Sequence, residues 1–191
     1  MESRNFVTAR EMAIDGHWLI PTMNGELRVT KPPLPTWMTA AVAVAAGNVE
    51  DPALLRLPAA MMATLMVFAM WGFVRTLSQD HWLPIIAALI LATASLVIDM
   101  GRRGSWDIYC HSFMMLGIWA LSFGLNKKES AYGVFAFVGV SMALSFMSKG
   151  PVAFYTLLMP FLAGFLKGWP ILDSIYACPD DPSQGDSVSR F

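Results

Sequence analysis

The sequence predicts an all-α integral membrane protein, a multi-span helical bundle with interfacial amphipathic helices in its first extracytoplasmic loop. Two observations carry the fold class. Of 191 residues, 55% are hydrophobic and only 14% charged, where a soluble domain carries nearer a quarter. The apolar residues also gather into stretches long enough, or nearly so, to cross about 30 Å of hydrocarbon as helices.

In chain order, the first 20 residues read as a helix followed by an extended loop. Phe6, Val7, Ala9, Met12 and Ala13 recur at helical spacing and Asp15-Gly16 supplies a stop; such a helix lies along a membrane surface. At Lys31-Pro32-Pro33 the prolines fix φ and push the residue before each of them into an extended conformation. Lys31 therefore stands on a stiff stalk at the membrane surface, suited to an anionic head group; a lysine that simply snorkels to the interface is the plainer alternative. Residues 34–48 are apolar but short and alanine-rich. About five spans follow, near 55–77, 82–99, 107–125, 131–148 and 151–169, joined by short connections that make them antiparallel neighbours. Trp71, Trp82, Trp106, Trp119 and Trp169 lie near span ends, as an aromatic belt does. Ala59, Ala60, Ala63, Gly133 and Gly139 are small enough to let helices approach. The expected organisation is a loop region over 1–54, a membrane domain over 55–170 and a polar, disordered or aberrant tail over 171–191.

Segment 34–48 decides the topology. If it spans, Lys31 and the Arg102-Arg103 pair fall on opposite sides. If it lies in the interface, Arg75, Lys127, Lys128 and Lys167 face the cytoplasm, as the positive-inside tendency prefers. Arg4, Arg10, Arg28, Lys31, Arg102, Arg103 and Lys149 then collect on the outer face against that tendency. Cations kept where insertion disfavours them point to an anionic ligand, and the interfacial reading is preferred. The net charge of −1 and the lack of long basic blocks argue against a nucleic-acid partner. Cys110 and Cys178 sit in dissimilar settings and give no disulfide or metal framework. No metal and no cofactor is expected, and no span shows the paired interruptions of a transporter.

The run Glu2-Ser3-Arg4-Asn5-Phe6, Arg10-Glu11-Met12, Gly16-His17-Trp18, Pro21, Asn24-Gly25-Glu26, Lys31-Pro32-Pro33-Leu34 resembles the first external loop of polyprenyl-phosphate-sugar-dependent glycosyltransferases of the type C fold. The similarity is to the bacterial aminoarabinose transferase and protein mannosyltransferase branch. Arg56-Leu57-Pro58, Arg103-Gly104-Ser105-Trp106-Asp107 and Ser148-Lys149-Gly150-Pro151 match further on, in order. The resemblance implies a multi-pass protein of the bacterial inner membrane, with its active site on the extracytoplasmic face. A polyprenyl-phosphate-linked sugar would be the donor and a lipid, glycan or protein the acceptor.

Such transfer needs cations for the departing phosphate and a carboxylate to take the proton of a hydroxyl acceptor. Lys31, Arg4 and either Arg102 or Arg103 are the expected phosphate ligands, with Lys149 a further candidate. Glu2 and Asp107 are the candidate carboxylates. His111 stands four residues after Asp107 on one helical face, within reach of a hydrogen bond; alternatively Asp107 neutralises Arg103 or caps its helix. Two departures from the family bear on this. Met1 stands where relatives commonly carry the first acid of a pair, and Thr30 stands where they often have an acid before the lysine. The sequence therefore predicts a portion of a longer glycosyltransferase, the alternative being a non-catalytic truncated membrane protein or lipid-phosphate-binding subunit.

Overall fold

The computed structural model describes residues 2–27, 31–126 and 132–166. Helices α1 (Glu2–Asp15) and α2 (Leu34–Ala45) precede the long α3 (Pro52–Leu77). Then come α4 (Trp82–Thr93), α5 (Ser95–Arg102), α6 (Trp106–Asn126), α7 (Tyr132–Lys149) and α8 (Met159–Leu166), the last entered through a π-helical turn, Phe154–Leu158. Between α1 and α2 the strands β1 (Thr22–Met23) and β2 (Glu26–Leu27) pair antiparallel. Asn24 and Gly25 both have positive φ, 56° and 78°, which suits the twist of a two-residue hairpin turn.

Helix α6 is the centre of the bundle and packs on both α3 and α7. Its Cys110, Met114 and Ile118 are buried with Ala153 and Phe161, and its Ile108 and Tyr109 with Ala59 and Met62 of α3. Hydroxyl groups join the helices across these contacts. Ser112 donates to the Met62 carbonyl and Ser145 to the Cys110 carbonyl, each at 2.8 Å, the kind of link that apolar surroundings favour between membrane helices. Outward faces are the reverse of a soluble protein's: Phe68, Leu89, Ile90, Leu96 and Phe146 are exposed, as a lipid-facing surface requires.

Among the described residues three helices, α3, α6 and α7, are long and apolar enough to cross a membrane, and α4 with α5 makes a fourth if that bent pair is one span. The sequence predicts about five. The pair bends by 57° because Ala94 leaves the helical region (ψ 120°) and ends α4; neither proline nor glycine marks this break. After α7, Gly150 at φ +82° turns the chain, and the apolar helix that follows, Phe154–Phe165, is shorter than a span. The tail expected over 171–191 lies outside the described residues, as do Arg28, Lys127, Lys128 and Lys167.

Close helix approaches match the expected ones at Ala59, buried against α6, and Ala63, set against Gly101, and differ at the glycines. Around Gly133 and Gly139 there is open space, whereas a Cβ on Gly72 would lie 2.4 Å from the Trp119 ring and one on Gly101 would lie 2.9 Å from Ala63 Cβ. The glycines that pack are those opposite another helix. Trp106 and Trp119 likewise turn inward, Trp106 to 5% exposure, while Trp82 is 71% exposed. Part of the apolar face predicted for the first helix is covered by α2: Ala9 and Met12 are buried against Ala40 and Trp37, while Val7 is exposed. Asn5 Oδ1 accepts a 2.8 Å hydrogen bond from the Thr36 hydroxyl in the same contact.

Candidate functional site

The turn between α5 and α6 sets the first part of the site. Gly104 adopts φ +62° and ends one helix; Ser105 begins the next, its Oγ accepting from the Asp107 N–H at 3.4 Å and donating to Asp107 Oδ2 at 3.1 Å. Asp107 thus lies in the first turn of α6, where backbone N–H groups favour a carboxylate. Its other oxygen, Oδ1, forms an ion pair with Lys149 Nζ at the end of α7. The two side chains are 22% and 27% exposed, so the pair is largely withdrawn from water while still open at one edge.

His111, one turn along α6, does not bind the Asp107 carboxylate as its spacing predicts. Its Nδ1 lies 2.8 Å from the Asp107 backbone carbonyl, and since a carbonyl only accepts, Nδ1 carries the proton and donates. Its Nε2 is 3.5 Å from the Thr156 hydroxyl on the π-helical turn, a turn type often found at functional sites. The alternative pairing of Asp107 with Arg103 is also not formed. Arg103 Nε binds Asp99 one turn back, at 2.6 Å.

Lys31 joins the cluster through Trp106, the neighbour of Asp107: its Nζ lies 5.8 Å from the indole ring centroid, within cation–π range. The hairpin that leads to Lys31 is anchored on α1. Glu11 accepts from the Thr22 hydroxyl at 2.8 Å and from the Asn24 N–H at 2.5 Å. Slight burial works against its charge, but these bonds and the Gly25 N–H outweigh it and hold the Glu11 carboxyl below the ordinary glutamate range. Arg4 and Glu2 are on the first turn of α1. Phe6 brings that turn to the α5–α6 loop, because a Cβ on Gly104 would meet the Phe6 ring at 3.0 Å. The Glu2 side chain lies outside what is described.

Arg102 and Arg103 stand elsewhere. They line, with Arg56, one end of an open cleft of about 1440 Å³ between α3 and the α4–α5 pair. Of the predicted site residues, the structure therefore gathers Asp107, Lys149, His111 and, through Trp106, Lys31, and separates the arginine pair from them. Ser105, Trp106 and Thr156 complete the cluster without having been singled out for it. Ser105 was recognisable as a serine two residues before an acid at a helix start, whereas nothing in the sequence marks Thr156.

A multi-span helical membrane protein with a charged cluster at one end of its central helix is the class these observations define. Residues 30–177 match the dolichyl-phosphate-mannose-protein mannosyltransferase family, and the chain belongs to that family. It is 26% identical over 165 residues to undecaprenyl phosphate-alpha-4-amino-4-deoxy-L-arabinose arabinosyl transferase 2 of Sodalis glossinidius (strain morsitans), a match covering 85% of this chain and 29% of that protein. Its fold is shared with the crystal structure of ArnT from Cupriavidus metallidurans in the apo state, at a TM-score of 0.73 and 20% identity, over 90% of this chain and 32% of that one. The chain thus spans about a third of the length of each of these relatives.

Proposed function

We propose that this chain forms the donor-side site of a membrane glycosyltransferase that moves a sugar from a polyprenyl-phosphate carrier to an extracytoplasmic acceptor in the bacterial inner membrane. The observation that carries this reading is the convergence of Lys149 with Asp107, and of Lys31 over Trp106 beside them, from three distant parts of the sequence. In the proposed chemistry the acceptor hydroxyl oxygen bonds to the anomeric carbon as the bond from that carbon to the phosphate oxygen breaks, and the carrier phosphate leaves with the bonding electrons. Lys31 and Lys149, with Arg4 on the adjacent first turn of α1, stabilise its charge as it develops. Both Asp107 oxygens are engaged, one by Lys149 and one by Ser105, so Asp107 is a positioning residue that aims the ammonium. Glu2 is the proposed acceptor of the hydroxyl proton. His111, tied to the main chain at Nδ1 and to Thr156 at Nε2, holds the π-helical turn against α6.

The engagement of both Asp107 oxygens leaves one further reading, in which the same cations bind the carrier without transferring its sugar. Purified chain in liposomes, with a radiolabelled polyprenyl-phosphate sugar and a panel of lipid, glycan and peptide acceptors, separates the two. Transfer that disappears in Lys31→Ala and Glu2→Gln supports the transferase. Carrier binding that needs Lys31, with no transfer to any acceptor, supports the binding protein, and absence of Lys31-dependent carrier binding contradicts both.

A further inference from the structure

The cleft between α3 and the α4–α5 pair is not used by the proposed transfer, and its construction suits another ligand. At about 1440 Å³ it exceeds the roughly 300–1,000 Å³ of ordinary small-molecule pockets. Its long walls are apolar, formed by Leu57, Ala60, Val67 and Phe68 of α3 facing Ala92 and Leu96, and Leu57, Ala60, Phe68 and Leu96 are exposed. Gly101 against Ala63 brings the two walls together. Its charged lining residues are Arg56, Arg102, Arg103 and Asp99. Asp99 is taken by Arg103, and Arg102 is exposed and in no ion pair among the described residues.

The dimensions select the ligand. Arg56 and Phe68 are twelve residues apart on α3, a rise of about 18 Å, close to the roughly 15 Å depth of one hydrocarbon leaflet. A cationic mouth at the helix ends over an apolar trough one leaflet deep matches an anionic head group with acyl chains reaching the bilayer midplane. Basic pockets between membrane helices hold such lipids. Arginine suits the head group further, because its planar fork binds phosphate oxygens in pairs. We infer that the cleft binds an anionic two-chain phospholipid, its phosphate on Arg102 and Arg56 and its chains along α3, at a site separate from Lys31 and Lys149. The sequence supports the charge side independently: Arg102 and Arg103 belong to the cation set that the preferred topology collects against the positive-inside tendency.

Native mass spectrometry of the purified chain in detergent tests this, with phosphatidylglycerol and phosphatidylcholine as the probes; sugar transfer plays no part in the readout. Wild type should retain phosphatidylglycerol at least fivefold over phosphatidylcholine. Arg56→Gln with Arg102→Gln should abolish that preference, Arg102→Lys should keep most of it, and Ala60→Trp, which fills the exposed wall, should lower retention of both lipids. Helical content by circular dichroism confirms that each variant is folded, and Ala60→Trp with Arg102→Lys decides the matter if the double variant is not. Equal retention of the two lipids by wild type, retention unchanged by Ala60→Trp, or a preference lost in Lys31→Ala to the same extent as in the arginine variants would overturn the proposal.

Discussion

Two groups of cations stand at the same end of this bundle and behave differently. Lys149 is held between α6 and α7 by Asp107, and the pair is about three-quarters buried. Arg102 is exposed at the mouth of an open apolar cleft. The first group is fixed by a partner that the fold supplies, so its position is set before any ligand arrives, and this preorganisation is what stabilising a developing charge requires. The second lies exposed along an apolar trough, with Arg103 paired to Asp99 one turn back. Spacing in sequence does not separate the groups, since Arg102 and Arg103 precede Asp107 by only a few residues. The turn at Gly104, with its φ of +62°, sends them to different sides of α6.

The largest effect expected from breaking this contrast is at the ion pair. Lys149→Ala leaves the Asp107 carboxylate partly buried without its cation and should destabilise the protein by roughly 3 kcal/mol, the lower end of what removing one partner of a buried pair costs. Unfolding in detergent measures it. The double variant Lys149→Ala with Asp107→Asn should recover part of the loss, giving a coupling energy of about 0.5–3 kcal/mol; a coupling near zero would make the pair no more than a surface contact. Arg102→Gln, by contrast, should leave stability within about 0.5 kcal/mol of wild type.

How much of this the sequence showed depends on the element. Membrane character and the long spans were legible because burial in lipid demands nearly continuous apolar stretches. The bend at Ala94 was not, because it falls in an apolar run with neither proline nor glycine. Lys149 was legible as a candidate, from the Ser-Lys-Gly-Pro motif at a span end, but its partner was not: Asp107 is 42 positions away and their meeting depends on how α7 packs on α6. The packing glycines were misplaced for the same reason. Gly133 and Gly139 look like packing positions in the sequence, yet only the glycines facing another helix, such as Gly72, matter.

That difference gives the next two predictions. Gly72→Ala puts a methyl group into the Trp119 ring and should cost about 2 kcal/mol, while Gly139→Ala, in open space, should be neutral or slightly stabilising; paired melting measurements compare them. Gly101→Ala should cost about 1 kcal/mol by pushing α5 from Ala63, and Ala63→Gly in the same chain should restore most of it. Failure of that rescue would mean that the α3–α5 contact is not as close as the structure has it.

The smallest effect belongs to the hairpin that carries the chain toward Lys31. Glu11 has a depressed pKa in the folded chain, so its contribution is present above the ordinary glutamate range and is lost as pH falls through the folded value. Glu11→Gln should therefore destabilise by less than about 1 kcal/mol at neutral pH, the group being only partly buried and its interactions screened by solvent. The difference from wild type should shrink on acidification below about pH 4. Melting curves over that range check the sign, and a difference that grew on acidification would contradict it.

The separation of the two cation groups is tested most directly by binding of a short-chain polyprenyl phosphate to the purified chain, compared across wild type, Lys31→Ala, Lys149→Ala and Arg102→Gln. Weakening of about tenfold or more in both lysine variants, with Arg102→Gln within twofold of wild type, is the result predicted for a carrier phosphate held at the α6–α7 cluster. Binding that survives both lysine substitutions and fails in Arg102→Gln would contradict it and move the carrier to the α3–α5 cleft.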